Sequence, residues 1–137
     1  MDKKRILVLD DSEVTLKMLI KALRDANYDA RGTPNLTTFG RLLQEFSPDM
    51  VLMDLAMPTM DGDQVCLELR SQFKDRHIPV VMMSGLAEGE LDLKARQAGA
   101  DAYISKKAGF KVFVEEVTRI FTHHPGRWAV TLPQRPE

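Results

Sequence analysis

Residues 50–62 read MVLMDLAMPTMDG. Four consecutive apolar residues, Met50 to Met53, run into a single carboxylate, Asp54, and the turn-forming residues Pro58, Asp61 and Gly62 follow. The run has no polar alternation. It therefore predicts a strand covered on both faces, as in a parallel sheet flanked by helices, with an acid as its last side chain. Taken alone, that acid fits a helix cap or a loop carboxylate as well as a residue at the ligand-binding end of an α/β sheet.

Outward from this stretch the pattern repeats. Residues 5–9, RILVL, form another apolar run, and it ends in Asp10 and Asp11. Ser12 is a candidate N-cap for a helix whose apolar positions are Val14, Met18, Leu19, Ala22 and Leu23, closing at Asn27. Residues 28–31 are a weaker strand candidate. Thr33-Pro34-Asn35 opens a second helix with Leu36, Phe39, Leu42, Leu43 and Phe46 on one face, and Ser47-Pro48 stops it. Beyond Gly62, the spacing of Val65, Cys66, Leu69 and Phe73 predicts a third helix. The run VVMM, 80–83, ends at Ser84-Gly85; a short helix over 88–98 closes at Gly99. A strand over 102–105 leads to Lys106 and Lys107, and a last helix covers 109–121. Strands alternating with helices through short connections define an α/β fold: an open, doubly wound parallel sheet with helices on both faces.

The chain of 137 residues fits one domain, over 1–122. From His123 the periodicity fails in HHPGRWAVTLPQRPE, which carries three prolines, so 123–137 reads as a C-terminal tail or linker. With 19 basic and 20 acidic residues the net charge is −1, and the charges are interspersed. That balance argues against nucleic-acid binding by this chain. The longest apolar stretches are strand-sized and the N-terminus lacks a signal-peptide core, which predicts a cytoplasmic protein with no membrane contact. The lone cysteine, Cys66, has no internal disulfide partner and falls at an apolar-periodic position, as core filler does. His123 and His124 are adjacent, a poor arrangement for one metal ion.

In an open α/β sheet, ligands gather at the carboxyl ends of the strands. Asp10, Asp11, Asp54, Ser84 and Lys106 all fall at such ends. Three carboxylates brought together repel one another unless a cation joins them, and Mg²⁺ favours oxygen donors of this kind together with a phosphate oxygen. A hydroxyl and an ammonium at the neighbouring strand ends suit the anion that such a metal accompanies.

The acidic pair after the first strand, the segment from Asp54 through Met57, Pro58, Met60, Asp61 and Gly62, Ser84 after VVMM, and Gly99-Ala100-Asp101 leading through Tyr103 to Lys106 occur in one order. In these features, over residues 4–122, the chain resembles the receiver domain of two-component response regulators. The resemblance implies a flavodoxin-like sheet of five strands in the order 2-1-3-4-5. It implies that Asp54 is the phosphoacceptor, that Asp10, Asp11, Asp54 and the backbone carbonyl of Ala56 hold Mg²⁺, that Lys106 pairs with the acyl phosphate, that Ser84 hydrogen-bonds it, and that Tyr103 swings inward as the switch. Such a protein is a signalling switch rather than an enzyme, catalysing phosphoryl transfer only to and from its own aspartate. Its implied partners are a histidine kinase or phosphotransfer protein, a downstream protein or an output domain, and a second copy across the face built from residues 88–98, 102–105 and 109–121.

The sequence also departs from the family pattern. Lys107 stands where a proline joined by a cis bond is usual, and a cis bond between non-proline residues costs about 2.5–4 kcal/mol, which favours a trans bond and a differently shaped turn. Gly85 stands where alanine is common. Two other readings compete: a degenerate receiver that binds partners without phosphorylation, and a Mg²⁺-dependent phosphatase of the haloacid dehalogenase type. The latter keeps its nucleophile in an Asp-x-Asp pattern at the end of strand one, whereas the acids there are adjacent and the lone acid is on strand three.

Overall fold

The computed structural model describes residues 3–54, 78–84 and 100–122. Among these, five strands pair in parallel: β1 (Arg5–Leu9), β2 (Asp29–Thr33), β3 (Met50–Asp54), β4 (Val80–Ser84) and β5 (Ala102–Ser105). Their order is β2-β1-β3-β4-β5, as the resemblance implies. Three helices are described: α1 (Glu13–Asp25), α2 (Leu36–Phe46) and α3 (Phe110–Thr122). The helices expected after Gly62 and over 88–98, and the tail from His123, lie outside the described residues.

Alternation along the strands divides the core into two layers. Leu7, Leu9, Val51, Met53, Val80, Met82 and Tyr103 pack with Phe39, Leu43 and Phe46 of α2. Ile6, Val8, Leu52, Val81, Met83 and Ile104 pack on the opposite face with Leu16, Leu19 and Leu23 of α1 and Phe113, Val117 and Ile120 of α3. Every residue of β3 and β4 is buried, which is why both read as unbroken apolar runs. Helices thus cover both faces of the sheet.

Local chemistry sets the boundaries. The Ser12 hydroxyl accepts from the Thr15 N–H at 3.3 Å, the N-cap expected, and the Asn35 side-chain oxygen accepts from the Thr38 N–H at 3.0 Å to cap α2. Asn27 and Ser47, just past α1 and α2, hold φ of 76° and 51°, left-handed conformations that end a helix. Gly109 has φ 88° and precedes α3 rather than opening it. The second strand begins and ends slightly later than the pattern predicts, at Asp29 and Thr33.

The helical spacing misplaces the inward face of α1. Val14 is 71% exposed and Met18 47%, while Leu16, Leu19 and Leu23 are buried. An apolar residue every four positions marks a stripe, but the sheet selects which of two adjacent stripes it covers. Leu36 is also exposed, at the first turn of α2. Gly32 lets α1 approach β2 closely: a Cβ there would lie 2.7 Å from Leu16 Cδ1 and 2.9 Å from the Val8 carbonyl oxygen.

Candidate functional site

The two ends of the sheet use acids differently. At the amino ends, carboxylates tie backbone together: Arg5 N–H donates to Asp49 Oδ2 at 2.8 Å, and Val80 N–H to Asp101 Oδ2 at 2.9 Å. The latter gives a structural role to the Asp101 of the sequence motif. At the carboxyl ends, the acids face one another instead.

Asp10 follows β1 and is wholly buried; Asp54 ends β3 and is 5% exposed; Asp11, next in the chain, is exposed. A carboxylate oxygen from each lies within 4.8 Å of the others. Their convergence follows from the parallel pairing of β1 with β3, in which Leu9 is level with Met53, so that the next residues on the two strands, Asp10 and Asp54, emerge at the same height. The burial of Asp10 is offset by specific donors. Ser12 N–H donates to Asp10 Oδ1 at 3.0 Å, and the Lys106 ammonium donates to Asp10 Oδ2 at 2.9 Å. Lys106 Nζ also lies 3.4 Å from Asp54 Oδ2.

Lys106 opens a short 3-10 turn, 106–108, directly after β5, and no cis peptide bond occurs among the described residues. Its neighbour Lys107 is exposed, so the register expected from the sequence is the one observed. Burial alone would lower the Lys106 pKa. The hydrogen bond that the ammonium donates to Asp10 and the negative charges of Asp54 and Asp10 outweigh it, and the ammonium is held above its usual range.

Ser84 is buried at the end of β4, one residue beyond Met83, the register partner of Asp54. Strand alternation places it with Tyr103 on the α2 face, where Tyr103 is already buried among core residues. Asp10, Asp11, Asp54 and Lys106 thus form one cluster, with Ser84 and Tyr103 adjacent across β4 and β5 on the other face. Ala56 lies outside the described residues. The Ser12 backbone donor was not foreseen from the sequence; the sole signal was its place as an N-cap two residues past Asp10.

Oxygen donors alone suit a hard cation, and among the described residues one ammonium touches two of the three clustered carboxylates. The acidic cluster could hold a metal ion, and its donor chemistry fits Mg²⁺.

A fold of this order with acids at the ends of β1 and β3 and a lysine after β5 defines a two-component receiver. Family comparison agrees: the response regulator receiver domain model matches residues 6–118, and the chain belongs to that family. It is similar to the polar-differentiation response regulator DivK of Brucella anthropi, 30% identical over 114 residues that cover 83% of this chain and 93% of the relative. Among solved structures, the signal receiver domain of a response regulator from Bermanella marisrubri superposes with a TM-score of 0.75 at 27% identity, covering 85% of this chain and 97% of that one. The Vibrio cholerae chemotaxis response regulator CheY4 shares the fold, with a TM-score of 0.75 at 22% identity over 86% of this chain and 98% of its own. No described helix is long and apolar enough to cross a membrane.

Proposed function

We propose that this receiver is switched by Mg²⁺-dependent phosphorylation of Asp54. The observation that carries the reading is the contact of Lys106 with both Asp10 and Asp54 inside the three-carboxylate cluster. An Asp54 carboxylate oxygen attacks the phosphorus of the donor, the bond from phosphorus to the leaving group breaks, and the leaving group departs with the electron pair. Catalysis of such a transfer is a matter of positioning and charge neutralisation. Asp10, Asp11, Asp54 and the Ala56 carbonyl would hold Mg²⁺, which supplies neutralisation of the transferred oxygens when bound. Lys106, already directed at Asp54, meets the new charge, and Ser84 donates its hydroxyl to a phosphoryl oxygen.

The phosphodonor is a histidine kinase or phosphotransfer protein. Its approach is supported by exposed apolar side chains around the site: Val14 and Met18 flank Thr15, which shares with Lys106, Ile104 and Phe110 the lining of a cavity of about 170 Å³. The output is a protein contact, made through residues 88–98, β5 and α3, with an attached output domain, a downstream protein or a second copy. The test is phosphoryl incorporation from a small phosphodonor with and without Mg²⁺, using Asp54→Ala as its control.

A further inference from the structure

Between α1, β2 and α2 lies an open cleft of about 640 Å³ that shares no residue with the carboxylate cluster. Lys17, Lys21 and Arg24 line it from α1, Arg31 from β2 and Arg41 from α2; among the described residues Asp25 is the one carboxylate in its lining. Five cations in one cleft of a chain with a net charge of −1 are a local concentration rather than a basic background. Its uncharged lining residues, Ile20, Leu42, Thr38 and Gly32, are half-buried, whereas the cations are exposed.

Two of the guanidiniums are held in place by groups that leave their charge uncompensated. Arg24 donates from Nε and Nη2 to the Ala30 carbonyl oxygen at 3.1 and 2.8 Å, using part of a fork that carries five N–H donors. The Arg31 guanidinium lies over the Phe46 ring, 4.6 Å from its centroid. Preorganised guanidiniums suit carboxylates and phosphates, because their planar donors match two oxygens at once. Lys21 and Arg41 pair with Asp25 and Glu45 on their own helices at 2.8 and 3.2 Å, but these are exposed pairs one helical turn apart, which exchange readily for another anion.

We infer that this cleft is a docking site for an acidic peptide segment of a partner protein, one in which apolar side chains are interspersed with carboxylates. The cations of α1 from Lys17 to Arg24 span about 10 Å at 1.5 Å per residue, enough to follow several residues of an extended chain. Half-buried Ile20 and Leu42 among exposed cations match a segment with both kinds of side chain. A small anion is disfavoured because the cleft is open, whereas small-molecule sites enclose most of their ligand. Nucleic acid is disfavoured because, among the described residues, no aromatic ring lines the cleft to stack on a base. The cleft is separate from the phosphorylation site, so this inference stands whether or not Asp54 is phosphorylated.

The experiment is a titration of the full chain with a short synthetic peptide of glutamates with interspersed leucines, read by fluorescence anisotropy and by amide NMR shifts. Saturable binding that weakens with salt, shifts centred on Ile20, Gly32 and Thr38, and a loss of affinity of about tenfold or more in Lys17→Glu support the site. The same charge change in Lys111→Glu, at an exposed position of α3, should alter affinity less than about twofold. Absence of saturation, equal losses in the two variants, or wild-type shifts centred on Asp10 and Asp54 would overturn it. A peptide with serine replacing the leucines, inorganic triphosphate and a short single-stranded oligonucleotide serve as comparison probes. Binding of any of them as tight as that of the leucine-containing peptide would overturn the assignment to an apolar-containing acidic segment. The shift map of the wild type gives this answer even if a variant folds poorly.

Discussion

Lys106 donates to Asp10 at 2.9 Å across 96 positions of sequence, joining the end of the sheet's last strand to the end of its first. Asp10 is wholly buried, so the pair is part of how the fold tolerates an acid there. Lys106→Ala removes a partner from that buried carboxylate and should destabilise the protein by about 1–3 kcal/mol in urea unfolding. Lys107→Ala, at an exposed position, should stay within about 0.5 kcal/mol of wild type. The reverse ranking would put the register after β5 wrong by one residue.

Asp11 is exposed, so its removal should leave stability within about 0.5 kcal/mol of wild type. Under the proposed function it should nevertheless abolish Mg²⁺-dependent phosphorylation, because it takes one of three clustered oxygen donors away. Undiminished phosphorylation of Asp11→Ala by a small phosphodonor would remove Asp11 from the metal site.

Gly32 is required by packing. A methyl group there meets the Val8 backbone oxygen at 2.9 Å as well as two side-chain carbons of α1, and backbone cannot move aside as a side chain does. Gly32→Ala should cost about 1–3 kcal/mol, the usual range for overpacking, measured by chemical denaturation. A neutral or stabilising result would mean that α1 shifts off β2 without penalty.

Ser84 and Tyr103 share a face on adjacent strands, with Met82 level with Tyr103 and Ser84 level with Ser105. If Ser84 couples the phosphoryl group to that face, beryllofluoride should perturb amide NMR shifts through β5 and α3, and Ser84→Ala should largely remove the perturbation while Mg²⁺ still binds. Tyr103 is buried here, so under the proposed function its inward movement would be a rearrangement within packed surroundings. Shifts confined to the neighbourhoods of Asp10, Asp11 and Asp54 would show that the signal leaves by another route.

The sheet was legible in the sequence because strands buried on both faces cannot hide: Met50 to Met53 and Val80 to Met83 had no polar residue to suggest anything else. The convergence of Asp10, Asp11, Asp54 and Lys106 was legible because polar residues at the ends of such runs have few structural reasons to be there. The inward face of α1 was not, since Val14 and Met18 obey the same helical spacing as Leu19 and Leu23, and which stripe is covered depends on the close approach at Gly32. The basic cleft was invisible for a different reason. Its cations come from three elements, and at Lys17, Lys21, Arg24, Arg31 and Arg41 each reads as an ordinary solvated charge until the fold sets α1 and α2 on either side of the edge strand β2.

The proposed switch turns on Asp54, and the most direct measurement is the intact mass of the protein after incubation with a small phosphodonor and Mg²⁺, beside beryllofluoride affinity under the same conditions. Wild type should gain the mass of one phosphoryl group and bind beryllofluoride only when Mg²⁺ is present, and Asp54→Ala should do neither. Phosphoryl incorporation that persists in Asp54→Ala, or a folded wild type that takes up no phosphoryl group and no beryllofluoride with Mg²⁺ present, would contradict it.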